Sequence, residues 1–187
     1  TDMFRDNLKK IVSGIDLSEE EMSGMISEIF SGTITNAQIG AMMAALATKK
    51  ETFEELAGAA KAMRRKALRI QCSAPVVVDT CGTGGDAANT FNISTTTAFV
   101  VAGAGVTVAK HGNRSISSQS GSADLLEALG MKIDVAPELV EEAVEEIGIG
   151  FLFAPVYHGA MKYAAQARKE VGIRSIFNML EIGRAHV

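Results

Sequence analysis

Tryptophan is absent from the 187 residues, tyrosine occurs twice, and aromatic residues make up 5% of the chain. A core therefore has to be built from aliphatic side chains and from the nine methionines. Cysteine is nearly absent too. Cys72 and Cys81 cannot form a disulfide framework and lack the company that a structural metal site needs, so a reducing cytoplasm is the expected setting. There is no excess of positive charge: the net charge is -4, which argues against nucleic acid as the main partner. No apolar run reaches roughly 18 residues, so no membrane span is expected. Thr1-Asp2-Met3-Phe4-Arg5 opens no apolar signal region, and no export is expected. Proline is scarce, at three residues, against eighteen glycines. With 47% hydrophobic and 21% charged residues the chain reads as folded, either one domain or two small ones.

Up to about residue 70 the pattern is helical. Phe4, Leu8, Ile11 and Val12 are expected to share one helical face. Ser18-Glu19-Glu20-Glu21 has the form of a capping box, with Met22, Met25, Ile26 and Ile29 behind it at helical spacing. Thr35 to Gln38 repeats that logic before Ile39, Met42, Met43 and Leu46, and Thr52 to Glu55 repeats it before Leu56, Ala59 and Met63. The methionine stripes read as core filler, and Arg64-Arg65-Lys66 as a solvated helix end beside the C-terminal dipole.

From Pro75 the texture changes. Val76-Val77-Val78-Asp79 is a short apolar run, expected to be a strand buried on both faces. A glycine-rich loop follows, then a helix from about Ser94 to Ala102, a second strand over Val106 to Ala109 and a polar loop from Lys110 to Gly121. Helices are expected from Ser122 or Ala123 through Leu129 and from Pro137 to Ile147, a third strand at Phe151 to Phe153, and a helix from about Ala160 to Val171. Alternation of strand and helix predicts βαβ units and a parallel sheet. The expected fold is α/β, with a helical domain over 1–70 and an α/β domain over 74–180. The helix over 159–171 is able to pack back on the helical domain.

Cys81-Gly82-Thr83-Gly84-Gly85-Asp86-Ala87 follows the first strand directly. Without Cβ atoms, such a loop lets backbone N–H groups converge on an anion. A Walker A loop would need Gly-Lys-Ser/Thr at its end, which is missing. The letters of a dinucleotide fingerprint are present, but the second strand ends in Lys110-His111 where that motif requires an acidic residue for a ribose hydroxyl. A cation there suits phosphate. The third reading, a phosphoribosyl diphosphate pocket, is favoured by the next loop. Lys110-His111-Gly112-Asn113-Arg114-Ser115-Ile116-Ser117-Ser118 combines cations, hydroxyls and an amide in a composition for wrapping a multiply charged anion. Asn92-Ile93-Ser94-Thr95 opens the intervening helix and presents free N–H groups to the same region.

The chain resembles the anthranilate phosphoribosyltransferases of tryptophan biosynthesis. The resemblance rests on Asp79 to Asp86, Phe91 to Thr95, Lys110 to Ser115, Gly121 to Asp124, Phe153-Ala154-Pro155, His158, Ala160-Met161-Lys162, Arg168 and Arg174 to Asn178, in the family's order. It implies transfer of a phosphoribosyl group from phosphoribosyl diphosphate to the amine of anthranilate. It also implies that Gly82, Gly85, Asp86, Thr90, Asn92, Ile93, Ser94 and Thr95 bind phosphoribosyl diphosphate. Lys110, His111, Gly112, Asn113, Arg114, Ser115, Ile116, Ser117, Ser118 and Ser122 would enclose its phosphates. Gly82, Asn113 and Arg168 would hold anthranilate, with His111, Tyr157 and His158 in or beside that pocket. Magnesium is the implied cofactor, with Ser94 touching it. No acid–base residue is expected; Lys110 and Asn113 would stabilise charge. Asp79, Asp124 and Lys162 are read as structural or solvated. Gly159 stands where the family has proline, and residues 181–187 break the family pattern and read as an extraneous tail, leaving the first half of the enzyme. A homodimer or other self-association is expected, through an unpaired sheet edge or the N-terminal helices. The alternative is a non-catalytic phosphate-binding or assembly module.

Overall fold

The computed structural model describes residues 2–80, 91–114 and 120–180. They divide into two units: one contains the chain up to Ala67 together with the segment from His158, and the other contains Leu68–Tyr157.

The first unit is built from helices α1 (Asp2–Val12), α2 (Glu19–Phe30), α3 (Asn36–Lys49) and α4 (Phe53–Lys66). All three expected capping boxes are present. Ser18, Thr35 and Thr52 accept from the N–H groups of Glu21, Gln38 and Glu55, whose side chains return to the cap N–H groups at 2.9, 3.1 and 2.9 Å. These bonds satisfy N–H groups that a helix start otherwise leaves unpaired. Behind the caps, Met22, Met25, Ile26, Ile39, Met42, Met43 and Leu46 are fully buried in one continuous core. Val12 is a correction: it is 68% exposed. The buried face of α1 runs through Phe4, Asn7 and Ile11, and a residue one step beyond Ile11 is turned about 100° away. Gly58 of α4 allows close approach to α2, since a Cβ there would stand 2.2 Å from the Glu19 carbonyl oxygen.

A charged knot closes the loops of this unit. The fully buried Glu55 accepts from Leu17 N–H at 3.0 Å and from Lys49 Nζ at 3.0 Å, besides its cap bond to Thr52. Lys49 also reaches Asp16. Burial pulls the Lys49 pKa down, but the hydrogen bonds that its ammonium donates to Asp16 and Glu55, with their negative charges, outweigh it and hold it above its ordinary value.

Where the chain returns to this unit, a single 3₁₀ turn (Gly159–Met161) leads into α9 (Lys162–Val171), and α10 (Ile176–Met179) follows. Ala164 and Ala167 of α9 and Ile176 and Phe177 of α10 are buried in the helical core. The expected helix thus starts two residues late, behind the turn that Gly159 opens. The short α10 had no separate signal in the sequence.

The second unit holds a three-stranded parallel sheet in the order β1 (Val77–Val78), β2 (Thr107–Gly112), β3 (Ile149–Phe153). Val78 pairs with Val108, and Val108 with Ile149. Helix α5 (Ile93–Gly103) connects β1 to β2. Helices α6 (Ser122–Ala128) and α7 (Pro137–Ile147) connect β2 to β3, and α8 (Ala154–Tyr157) follows β3. Two corrections arise. Strand β1 is not buried on both faces: Val77 and Val78 are half-buried and Val76 is 64% exposed, because β1 is an edge strand of only two residues. Strand β2 is longer than expected and takes in Lys110, His111 and Gly112, which pair with Phe151, Leu152 and Phe153. The polar sequence of that stretch conceals a central strand. Ala109, Leu152, Val140, Val144, Ile70 and Tyr157 form one apolar cluster, and Ala123, Leu126, Ile133 and Phe151 form another.

Candidate functional site

Strands β1 and β2 are neighbours and parallel, so their carboxyl ends lie together, where open α/β sheets place ligands. The first expected loop, with Gly82, Gly85, Asp86 and Thr90, lies outside the described residues, as do Ser115, Ile116, Ser117 and Ser118. The residues that flank both loops are described, and they converge.

Lys110 is the centre of one cluster. Its side chain leaves the central strand buried, with Nζ 3.3 Å from Ser94 Oγ and 3.4 Å from the Thr80 carbonyl oxygen. Thr80 Oγ1 donates to the Ser94 carbonyl oxygen at 2.8 Å, which ties the end of β1 to the first turn of α5. Thr80 carries no sequence signal of its own beyond its place at the end of a strand. Asn92 precedes α5, and its Oδ1 accepts from the hydroxyls of Thr95 at 2.8 Å and Ser94 at 3.5 Å. It makes no side-chain cap bond to the helix backbone. The side chain of Ile93 is 50% exposed on the same turn. A buried ammonium beside a helix N-terminus is suited to stabilise an anion, because both partial and full positive charges face one point in a poorly screened setting.

A second cluster surrounds His111, which is 3% exposed. The Asp79 carboxylate accepts from the His111 backbone N–H at 3.1 Å and stands 3.3 Å from Nδ1. The Tyr157 ring meets the imidazole edge-on, with centroids 6.3 Å apart. Burial, with lesser effects of Glu141 and Glu138, pushes the Tyr157 phenol up to about 12, so it stays neutral at pH 7.

The third cluster joins β2 to α6. Asn113 accepts from Ala123 N–H at 3.2 Å and from Ser122 Oγ at 3.4 Å through its carbonyl oxygen, while its Oδ1 accepts from Arg114 N–H at 2.8 Å. Gly112 is required there: a Cβ would stand 2.1 Å from Ser122 Oγ and 2.5 Å from Phe151. The Arg114 guanidinium pairs with Glu127 at 2.7 Å and Asp124 at 3.2 Å and lies over the Phe153 ring. Asp124 also caps α6 by accepting from Gly121 N–H at 2.8 Å, the structural part read for it from sequence.

The structure therefore brings Ser94 and Lys110 together, and separately His111 with Tyr157, and Asn113 with Ser122. Arg168 and His158 belong to the helical unit. Arg168 on α9 is half-buried with its guanidinium over the Phe177 ring, and His158 is buried near Phe30, Met63 and Met161. Magnesium is not accommodated by the described residues alone. It favours an octahedron of oxygens including carboxylates, whereas Ser94 offers one hydroxyl with an ammonium 3.3 Å away. No cluster of three or more metal-ligating side chains occurs among the described residues. Nor is any helix among them long and apolar enough to cross a membrane.

Comparison with known proteins agrees with this geometry. Residues 74–181 match the model of the glycosyl transferase family a/b domain, and residues 5–67 that of the glycosyl transferase family helical bundle domain. The chain is 73% identical over 178 residues to the anthranilate phosphoribosyltransferase of Desulfosudis oleivorans, covering 95% of this chain and 52% of that protein. It is 57% identical to that of Moorella thermoacetica, over the same shares. Among solved structures, anthranilate phosphoribosyltransferase from Thermus thermophilus superposes with a TM-score of 0.89 at 43% identity, covering 95% of this chain and 54% of that one. The enzyme from Saccharomyces cerevisiae in complex with PRPP and Mg gives 0.87 at 31% identity, covering 96% and 54%. The chain spans about half the length of the curated relatives it matches.

Proposed function

The chain belongs to the glycosyl transferase family, and on that premise we propose that it carries the phosphoribosyl-diphosphate-binding half of an anthranilate phosphoribosyltransferase acting in tryptophan biosynthesis. The observation that carries the reading is Lys110: an ammonium buried at the carboxyl end of the central strand, against the Ser94 hydroxyl at the start of α5.

In the proposed reaction the anthranilate nitrogen uses its lone pair to form the bond to C1 of the ribose. The C1–oxygen bond breaks, its electrons leave with diphosphate, and the proton shed by nitrogen passes to solvent. An aromatic amine is already neutral at pH 7, so no strong base is needed. The demanding part is the departing negative charge. Lys110 and the N–H groups that open α5 supply preorganised positive charge for it, and Asn113 adds a polar contact at the end of the strand that carries Lys110. Gly82, Gly85, Asp86, Thr90 and the segment 115–118 are proposed to complete the phosphate cradle, and Gly82, Asn113 and Arg168 to hold anthranilate. Magnesium is proposed to bind weakly to this chain unless diphosphate is present. The protein is proposed to work in the cytoplasm and to self-associate, either through its helices or through β1, which among the described residues is an edge strand open to another strand. Sedimentation showing only monomer across the micromolar range would remove self-association from this reading.

The test is calorimetric titration with phosphoribosyl diphosphate and magnesium, with NAD as control. The expected result is binding that NAD does not reproduce and that Lys110→Ala weakens by at least tenfold. Binding indifferent to Lys110→Ala, or binding of NAD in preference, would overturn the reading.

A further inference from the structure

We propose that Thr80 is a positioning residue, whose hydroxyl holds Ser94, and with it the start of α5, against Lys110 at the end of the sheet. Three elements meet at Ser94. The Thr80 hydroxyl donates to the Ser94 carbonyl oxygen at 2.8 Å. The Lys110 ammonium donates to the Ser94 hydroxyl at 3.3 Å and to the Thr80 carbonyl oxygen at 3.4 Å. The Ser94 hydroxyl in turn donates to Asn92 Oδ1 at 3.5 Å. Only the Thr80 bond has the length of a well-made hydrogen bond between oxygens; the ammonium contacts are long. The ammonium alone therefore holds the helix start loosely. Nothing within α5 replaces Thr80. Asn92 makes no side-chain cap bond to the helix backbone, and the hydroxyls of Thr95 and Thr96 turn back to Asn92, so they tie the helix start to itself and not to the sheet. Thr95 and Ala98 are the buried residues of α5, so packing gives it little further hold.

The consequence for anion binding rests on the proposed function; the tie between Thr80 and Ser94 does not. The Thr80 hydroxyl proton is taken by Ser94, and its carbonyl oxygen would repel an anion. Its part is to set where the N–H groups that open α5 stand relative to the Lys110 ammonium. Two sources of positive charge attract one diphosphate best when their separation is fixed before it arrives.

Thr80→Val keeps the shape of the side chain and removes its hydroxyl, while Thr80→Ser keeps the hydroxyl. Hydrogen exchange of the ligand-free chain reads the positioning itself. The amides at 97–99 are held by the carbonyls of the first turn of α5. Their exchange is expected to rise about fivefold in Thr80→Val, the size of one hydrogen bond, with α7 of the same unit unchanged and Thr80→Ser like wild type. Calorimetric titration with phosphoribosyl diphosphate and magnesium reads the consequence. Thr80→Val is expected to weaken binding about fivefold, Thr80→Ser to restore it, and Thr80→Val to add nothing to Lys110→Ala. Unchanged exchange at 97–99 in Thr80→Val, a rise shared equally by α7, or a Thr80→Ser variant no better than Thr80→Val would overturn the proposal. So would additive effects of Thr80→Val and Lys110→Ala on binding. If Thr80→Val does not fold, Thr80→Ala is compared with Thr80→Ser in the same way. A wild type that binds no phosphoribosyl diphosphate removes the proposed function, and the exchange then decides the part of Thr80 alone.

Discussion

In the helical unit the apolar stripes of α2, α3 and α4 meet in one continuous core that also takes in α9 and α10, and its charged knot is buried with three hydrogen-bonding partners around Glu55. In the α/β unit the core is two small clusters. There α5 leaves Phe99 45% and Val100 67% exposed, and β1 is a two-residue edge. The first unit stores its stability in burial and in local capping. The second stores its specificity in side chains that bridge strand ends, namely Asp79, Thr80 and Lys110. Burial therefore weighs most in the helical unit and side-chain bridges between strand ends in the α/β unit, and a substitution at either should affect mainly its own unit.

The largest break in that comparison is expected from Glu55→Ala. Removing the carboxylate leaves Lys49, 7% exposed at its side chain, with one carboxylate partner in place of two, and strands the N–H groups of Leu17 and Thr52. Loss of one partner from a buried ion pair costs roughly 3–5 kcal/mol. Chemical denaturation should show a loss of that size for the helical unit. A loss under about 1 kcal/mol, the range of surface pairs, would mean that the knot is not holding the loops.

A smaller pair of changes sharpens the division of labour. Gly58→Ala drives a methyl group against a backbone oxygen at 2.2 Å in the helical unit, and Gly112→Ala drives one against Ser122 Oγ at 2.1 Å beside the candidate site. Overpacking of this kind typically costs about 1–3 kcal/mol. Both variants should melt earlier. Only Gly112→Ala should also weaken phosphoribosyl diphosphate binding measured well below its melting temperature, because only there does the displaced group belong to the proposed cradle. Equal effects on binding would erase the distinction between the units.

Legibility in the sequence follows the same line. Ser18, Thr35 and Thr52 are read correctly because a capping box is closed within four residues, and local signals survive without knowledge of the fold. Strand β2 is read short because Lys110 and His111 look like loop residues. Their burial comes from β1 and β3 on either side, which no local pattern records. The Lys-His-Gly-Asn-Arg run falls at the carboxyl end of the central strand. The sequence does not say that Arg114 is taken by Glu127 and Asp124, or that Asp79 reaches His111 across 32 positions. Those facts depend on which strand ends become neighbours.

The smallest expected effect concerns two glutamates whose pKa values are both lowered, by different causes. Glu21 is held below its ordinary 4.5 chiefly by its hydrogen bond to Lys10, with help from the Ser18 cap. Glu145 of α7 is held low chiefly by the Ser73 hydroxyl and then by the Ser73 N–H. A carboxyl whose pKa is depressed on folding contributes stability above its unfolded pKa and loses it as pH falls through the folded value. Both contributions should therefore be complete at pH 7 and fade below about 4.5. Salt distinguishes them, since ions screen a half-exposed ammonium–carboxylate pair more than a neutral hydroxyl donor. The melting difference between wild type and Glu21→Gln should shrink both in acid and in about 0.5 M salt, while that for Glu145→Gln should shrink in acid alone. If salt diminishes both equally, the hold on Glu145 is coulombic, and the contrast between a charge-tied helical unit and a hydrogen-bond-tied α/β unit fails at this pair of residues.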